Sequence, residues 1–152
     1  MADGLRGWRA AILIIFAFAS ACGPKQPRTI GMAVAGTTVD VDALIRAALQ
    51  LDAASSRAAD TLYSSDAIVV ANARPRFAHP RFAGISYGGR ITLGSSSVTV
   101  EGRWAWAVVD YRWIGSQPNQ VEAGRATVVC RKDEKGWRIV HQHSSQLLAW
   151  DR

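Results

Sequence analysis

GRATVVCRKDEKGWRIVHQHSS, residues Gly124–Ser145, decides the fold. Two runs rich in β-branched and aromatic residues flank the turn signal DEKG (Asp133–Gly136), so the stretch predicts an antiparallel hairpin. Alternation puts Arg125, Thr127 and Val129 on one face of the first strand, with Ala126, Val128 and Cys130 on the other. His141 and His143 are two residues apart on the second strand and point to the same side. Upstream, RWAWAVVDYRWI (Arg103–Ile114) is the strongest strand of the chain. Its parity separates Trp106, Val108, Asp110 and Arg112 from Ala105, Ala107, Val109, Tyr111 and Trp113.

Further upstream, ITLGSSSVTVEG (Ile91–Gly102) predicts a strand interrupted at Gly94 by a bulge. ARPRFAHPRFAGISYGGR (Ala73–Arg90), with two prolines and three glycines, reads mostly as loop. AIVVAN (Ala67–Asn72) predicts a short buried strand. Before it the period changes. Val41, Leu44, Ile45, Ala48 and Leu51 fall at helical spacing, with Leu62 extending the apolar face. Thr38 and Asp40 offer oxygen to the first unpaired N–H groups. One long or slightly broken helix is predicted from about Thr38 to Tyr63. The class is α+β: an N-terminal helix packed on a curved antiparallel sheet of about four to six strands.

The first residues are of another kind. Arg6 and Arg9 precede the twelve-residue apolar run Ala10–Ala21. A bilayer-spanning helix needs about 20 apolar residues, so this order of basic, apolar and small residues reads as an export signal. It ends in ASAC, and Cys22 after Ala21 resembles a bacterial lipobox cysteine, although Ala19 stands where leucine is usual. The chain therefore divides into a lipoprotein-type signal peptide at 1–21, a flexible tether at 22–38 and a domain at 39–152. The expectation is an envelope lipoprotein anchored in the membrane through acylated Cys22. Secretion as a soluble, periplasmic or extracellular protein stays open.

With Cys22 used in this way only Cys130 remains, which allows no intramolecular disulfide, and the core must hold the fold alone. Removing Arg6, Arg9 and Asp3 with the leader takes the formal charge from +6 to +5. The excess is scattered arginine rather than a basic run, so no nucleic-acid partner is expected.

The aromatic strand at Trp104–Trp113, the segment DTLYSSDAIVV (Asp60–Val70) and the hairpin Gly124–Ser145 together resemble the NTF2-like superfamily, in particular its SnoaL-like and DUF4440-type branch. The resemblance covers nearly everything from Val39 onward. The last strand is also similar to that of the calcium/calmodulin-dependent kinase association domain around its His-x-His. The resemblance implies a cone: one sheet face curls round a pocket plugged by the helix, and the opposite face forms a homodimer. It further implies that Arg112, Arg125, Thr127, His141 and His143 line the pocket with Asp110, and that Tyr63 reaches it from the helix end.

Three chemistries compete for these residues. The histidine pair as metal ligands lacks a third donor, and no metal or other cofactor is expected. Asp110 with His143 could move a proton while Arg112 or Arg125 holds an anionic oxygen, giving isomerase-, cyclase- or lyase-type chemistry. Alternatively the set binds an unidentified small molecule without reaction, or serves only packing in a dimeric assembly module. The loop residues Arg74, Arg76, His79, Arg81, Tyr87 and Arg90 are expected at the pocket rim. Of the tryptophans, Trp137 is expected in the core, and Trp104, Trp106 and Trp113 split between two faces.

Overall fold

The computed structural model describes residues 35–147 except residue 118, so the signal, Cys22 and most of the tether lie outside the described residues. Helix α1 spans Ala35–Ala53 and is followed by a 3-10 helix at Arg57–Leu62. Strands β1 (Tyr63–Ala71), β2 (Arg74–Pro75), β3 (Arg90–Glu101), β4 (Trp104–Ile114), β5 (Val121–Asp133) and β6 (Gly136–Gln146) complete the order. They form one sheet ordered β2-β1-β6-β5-β4-β3. Four of its pairings are antiparallel, those of β3–β4, β4–β5 and β5–β6 as the meander predicts and that of β1 with β2, which lies inside the segment read as loop, but β1 runs parallel to β6. The sheet is therefore mixed, because the last strand inserts between β1 and β5 rather than adding at an edge.

The predicted helix breaks where its sequence turns to small residues. Ser55 takes a φ of 48°, outside the helical range, and Ser56 then caps the 3-10 helix by accepting the N–H of Ala58. Val41, Ile45, Ala48 and Leu49 of α1 are buried against β3 and β6. They meet the face of β4 that carries Ala105, Ala107, Val109, Tyr111 and Trp113, and that of β5 with Ala126, Val128 and Cys130. Alternation thus sorts both strands as read.

On β6 it does not carry through. A register shift opposite Val129 and Cys130 places Ile139 against Cys130 and His141 against Val129, leaving Val140 as an extra residue. Trp137 and Ile139 point to the core before it; Gln142 and Ser144 do so after it.

The segment between β2 and β3 is a loop, but not a surface one. Phe82, Ala83 and Ile85 are buried in the core, and the Phe82 ring meets Tyr111 edge-on at 5.7 Å. A buried loop must find partners for its backbone, and the end of α1 and the inner face of the sheet supply them. The Asp52 carboxylate accepts the N–H groups of Arg81 and Phe82 at 2.7–2.9 Å. Ser144 Oγ accepts from Ala83 N, and the Tyr111 hydroxyl donates to Ala83 O. Gln142 Nε2 donates to Arg81 O, and Trp113 Nε1 to Gly88 O. This loop fills the hollow that the helix was expected to roof alone.

Candidate functional site

The side chains expected to line an enclosed pocket are together, but on the other face. Asp110, Arg112, Arg125, Thr127, His141 and His143 lie on the side of the sheet away from α1, each half-buried or exposed. The physical reason is the competition between the two parities of β4 and β5. Burying Ala105, Val109, Tyr111, Trp113 and Val128 gains about 25 cal/mol per Å² of apolar surface, whereas burying the charged parity would cost several kcal/mol per ion. The histidines follow because the extra residue at Val140 turns them outward.

Within this set, geometry joins some members and separates others. Arg125 Nε donates to Asp110 Oδ1 at 2.6 Å, and Arg125 Nη2 and Ser95 Oγ both donate to Oδ2. The Arg125 hydrogen bond, with help from Ser95, holds the Asp110 carboxyl below the ordinary carboxylate value. Thr127 and His143 are cross-strand neighbours on β5 and β6. Asp110 and His143, however, lie on strands separated by β5, so their backbones are about 10 Å or more apart. The expected acid/base couple is not formed.

Beside Asp110 the sheet opens. Leu93 pairs with Tyr111 and Ser96 with Val109, so Gly94 and Ser95 together face Asp110. This is the bulge read at Gly94. It borders an open groove of about 670 Å³ lined by Leu93, Ser95, Asp110, Arg112, Val121 and Ala123, among others. Arg112 makes no ion pair with a carboxylate among the described residues.

Tyr63 occupies a different place. Its hydroxyl donates to Gln142 Oε1 at 2.6 Å, and the Arg81 guanidinium stacks on its ring at 4.6 Å. Burial raises its pKa. Arg81 pairs with Asp60, and His79 Nδ1 lies 2.8 Å from Asp52 Oδ1. Asp60, Tyr63, Arg76, Phe77 and Arg81 line a second, smaller cleft of about 460 Å³. The loop residues thus divide. His79 and Arg81 turn inward, while Arg74, Arg76, Tyr87 and Arg90 are exposed.

Among the described residues, Asp52, Gln142 and Ser144 are the buried polar side chains that sequence reading missed. Asp52 was legible: with Val41, Ile45, Ala48 and Leu49 it continues the helical spacing of the buried face. Gln142 and Ser144 had no such signal, because the extra residue at Val140 reverses the parity. Among the described residues, no group of three His, Cys, Asp or Glu side chains is placed to hold a metal ion.

A family model described as SnoaL-like domain matches residues 41–149. No curated protein matches the chain. Solved structures do. An NTF2-like protein with a cystatin-like fold from Novosphingobium aromaticivorans is 19% identical, with a TM-score of 0.60 over 75% of this chain and 84% of that one. A protein of unknown function with a cystatin-like fold from Nostoc punctiforme gives 0.62 at 9% identity, over 76% and 94%. A protein provisionally named a ketosteroid isomerase, from Parabacteroides distasonis, gives 0.59 at 16% identity, over 83% and 97%. At these identities the likeness is one of fold.

Proposed function

The chain belongs to the SnoaL-like domain family, and within it, we propose, this member binds a small anionic molecule in the open groove beside Asp110. One observation carries the reading. Arg112, without a carboxylate partner among the described residues, borders a groove of about 670 Å³ floored by Leu93, Val121 and Ala123. A groove of this size, lined by apolar and polar side chains together with few charged groups, suits a small polar organic ligand. Arg125 supports the site by neutralising Asp110, which would otherwise repel an anion. Native mass spectrometry of the purified protein tests the reading. A co-purifying small acid is expected, and Arg112→Ala should lower its retention at least tenfold. Retention unchanged in Arg112→Ala would overturn it.

Acid/base catalysis is the weaker reading. A structural neighbour provisionally named an isomerase motivates it, but a carboxylate held low by Arg125 is a poor base.

Export belongs to the same proposal, with acylation of Cys22 as the anchor. Its support is the order of Arg6 and Arg9, the apolar run and ASAC. Palmitate labelling of the wild type and not of Cys22→Ala is expected; equal labelling would end it.

A homodimer through the outer sheet face has an observation of its own. Ile68, Trp104, Trp106 and Val108 are exposed there, on or beside the parity that carries Thr127 and His143. Apolar side chains grouped in this way mark a contact surface. Sedimentation should give twice the chain mass, and Trp106→Glu with Val108→Glu should give monomer. A wild-type monomer at all concentrations would refute it.

A further inference from the structure

From Ala67 to Arg90 the chain carries four arginines and no Asp or Glu. The middle of this stretch is a built projection rather than a slack loop. β1 and β2 pair through Val70 with Pro75 and Ala71 with Arg74, and the intervening Asn72 and Ala73 both take positive φ, 50° and 59°. That is the conformation of a tight hairpin turn, with asparagine at its favoured first position. Asn72 also ties the turn to β6, its side-chain amide donating to Gln146 Oε1 at 2.8 Å and its Oδ1 accepting Gln146 N at 3.0 Å. The Arg76 N–H closes the hairpin on Val69 O.

On this pinned hairpin, residues 72–78 are all exposed. Phe77 is 90% exposed, the most exposed large apolar side chain among the described residues. Arg74 and Arg76 precede it on the same hairpin, and neither pairs with a carboxylate among the described residues. A phenyl ring left in water forgoes the free energy its burial would supply. Phe82, five residues on in a similar local sequence, is buried in the core. The contrast marks Phe77 as a ring presented outward by its scaffold.

We propose that this hairpin docks on an anionic phospholipid surface, with Phe77 entering the headgroup boundary and Arg74 and Arg76 meeting lipid phosphates. An aromatic ring beside cations suits that boundary, where one end of the contact is apolar and the other charged. Residues 67–90 carry no acid, and the carboxylate that shares a cleft with Arg76 and Phe77, that of Asp60, is paired with Arg81. Rigidity lowers the ordering cost of contact. The site is separate from the groove at Arg112, so it does not depend on the ligand-binding reading. It also acts without an acyl chain, and an anchor at Cys22 would hold it close to its surface.

The test uses the chain from Gly23 onward, which contains the helix, the sheet and the whole core but neither leader nor Cys22. Co-sedimentation is measured with vesicles of phosphatidylcholine alone and of equal parts phosphatidylcholine and phosphatidylglycerol. Binding to the anionic vesicles only is expected, weakened about fivefold by each of Arg74→Gln and Arg76→Gln. Phe77→Ser, which changes no charge, should weaken it by a similar factor, with circular dichroism unchanged in all three variants. Equal binding by wild type and Phe77→Ser would overturn the proposal, as would no binding to anionic vesicles. Displacement by inorganic phosphate at constant ionic strength would also overturn it, in favour of a small-anion site.

Discussion

Asp52, 1% exposed at the end of α1, accepts the backbone N–H of Phe82 at 2.9 Å. The same carboxylate takes the N–H of Arg81 and faces His79 Nδ1. One side chain thus fastens the loop to the helix. Asp52→Ala leaves these donors buried without an acceptor and should cost about 3 kcal/mol or more. Asp52→Asn, which keeps one acceptor oxygen, should cost less. Urea unfolding midpoints check the order, and equal midpoints for Asp52→Ala and wild type would contradict the fastening role.

Gly124 is where the Tyr111 ring crosses the sheet backbone. A Cβ there would overlap the hydroxyl end of that ring, which is itself held by its bond to Ala83 O. Gly124→Ala should destabilise by about 1–3 kcal/mol through overpacking, read from thermal unfolding.

Trp113 and Trp137 are both buried, yet their indole N–H groups differ. Trp113 Nε1 donates to Gly88 O at 2.7 Å, while Trp137 Nε1 has no partner among the described residues. Trp113→Phe leaves a carbonyl unpaired and should cost about 1 kcal/mol more than Trp137→Phe, which removes an orphaned donor. Denaturant titration of the two variants decides this, and the reverse order would refute it.

Asp110 predicts a pH dependence. Its carboxyl is held below the ordinary carboxylate value, first by the Arg125 hydrogen bond and then by Ser95. The folded state therefore binds the proton less readily than the unfolded state. The resulting stability is complete above the unfolded value and is lost as pH falls through the lower folded value. Arg125 is more than half exposed, so the contribution is at most about 1 kcal/mol. Asp110→Asn should leave a shallower decline in stability below about pH 4, measured by acid-dependent unfolding. An unchanged slope would show that the pair adds nothing.

Cys130 is fully buried, and burial pushes its thiol up to about 12. Only the thiolate reacts readily. In the chain from Gly23 onward, a disulfide reagent at pH 8 should label it at least a hundredfold more slowly in the folded protein than in denaturant. Rapid native labelling would place the thiol at the surface.

Much of the fold is legible in particular residues. The DEKG turn fixes the β5–β6 hairpin, the alternation from Trp104 to Ile114 sorts core from solvent, and Gly94 announces a bulge. Leaving the helix at Ser55 was half visible, since a small-residue stretch tolerates a break without requiring one. The parallel pairing of β1 with β6 had no local signal, because it joins residues some seventy positions apart.

Sequence alone determined which side chains travel together: Asp110, Arg112, Arg125 and Thr127 share a face because strand periodicity is a local property of the backbone. Only the tertiary structure decided which way that face looks, and that His141 and His143 join it. It also decided that the loop from His79 to Gly89 fills the concave side, with Asp52, Gln142, Ser144, Tyr111 and Trp113 satisfying its backbone. Those outcomes depend on comparing the burial energy of whole faces and on one extra residue at Val140. Neither is a property of any short stretch of chain.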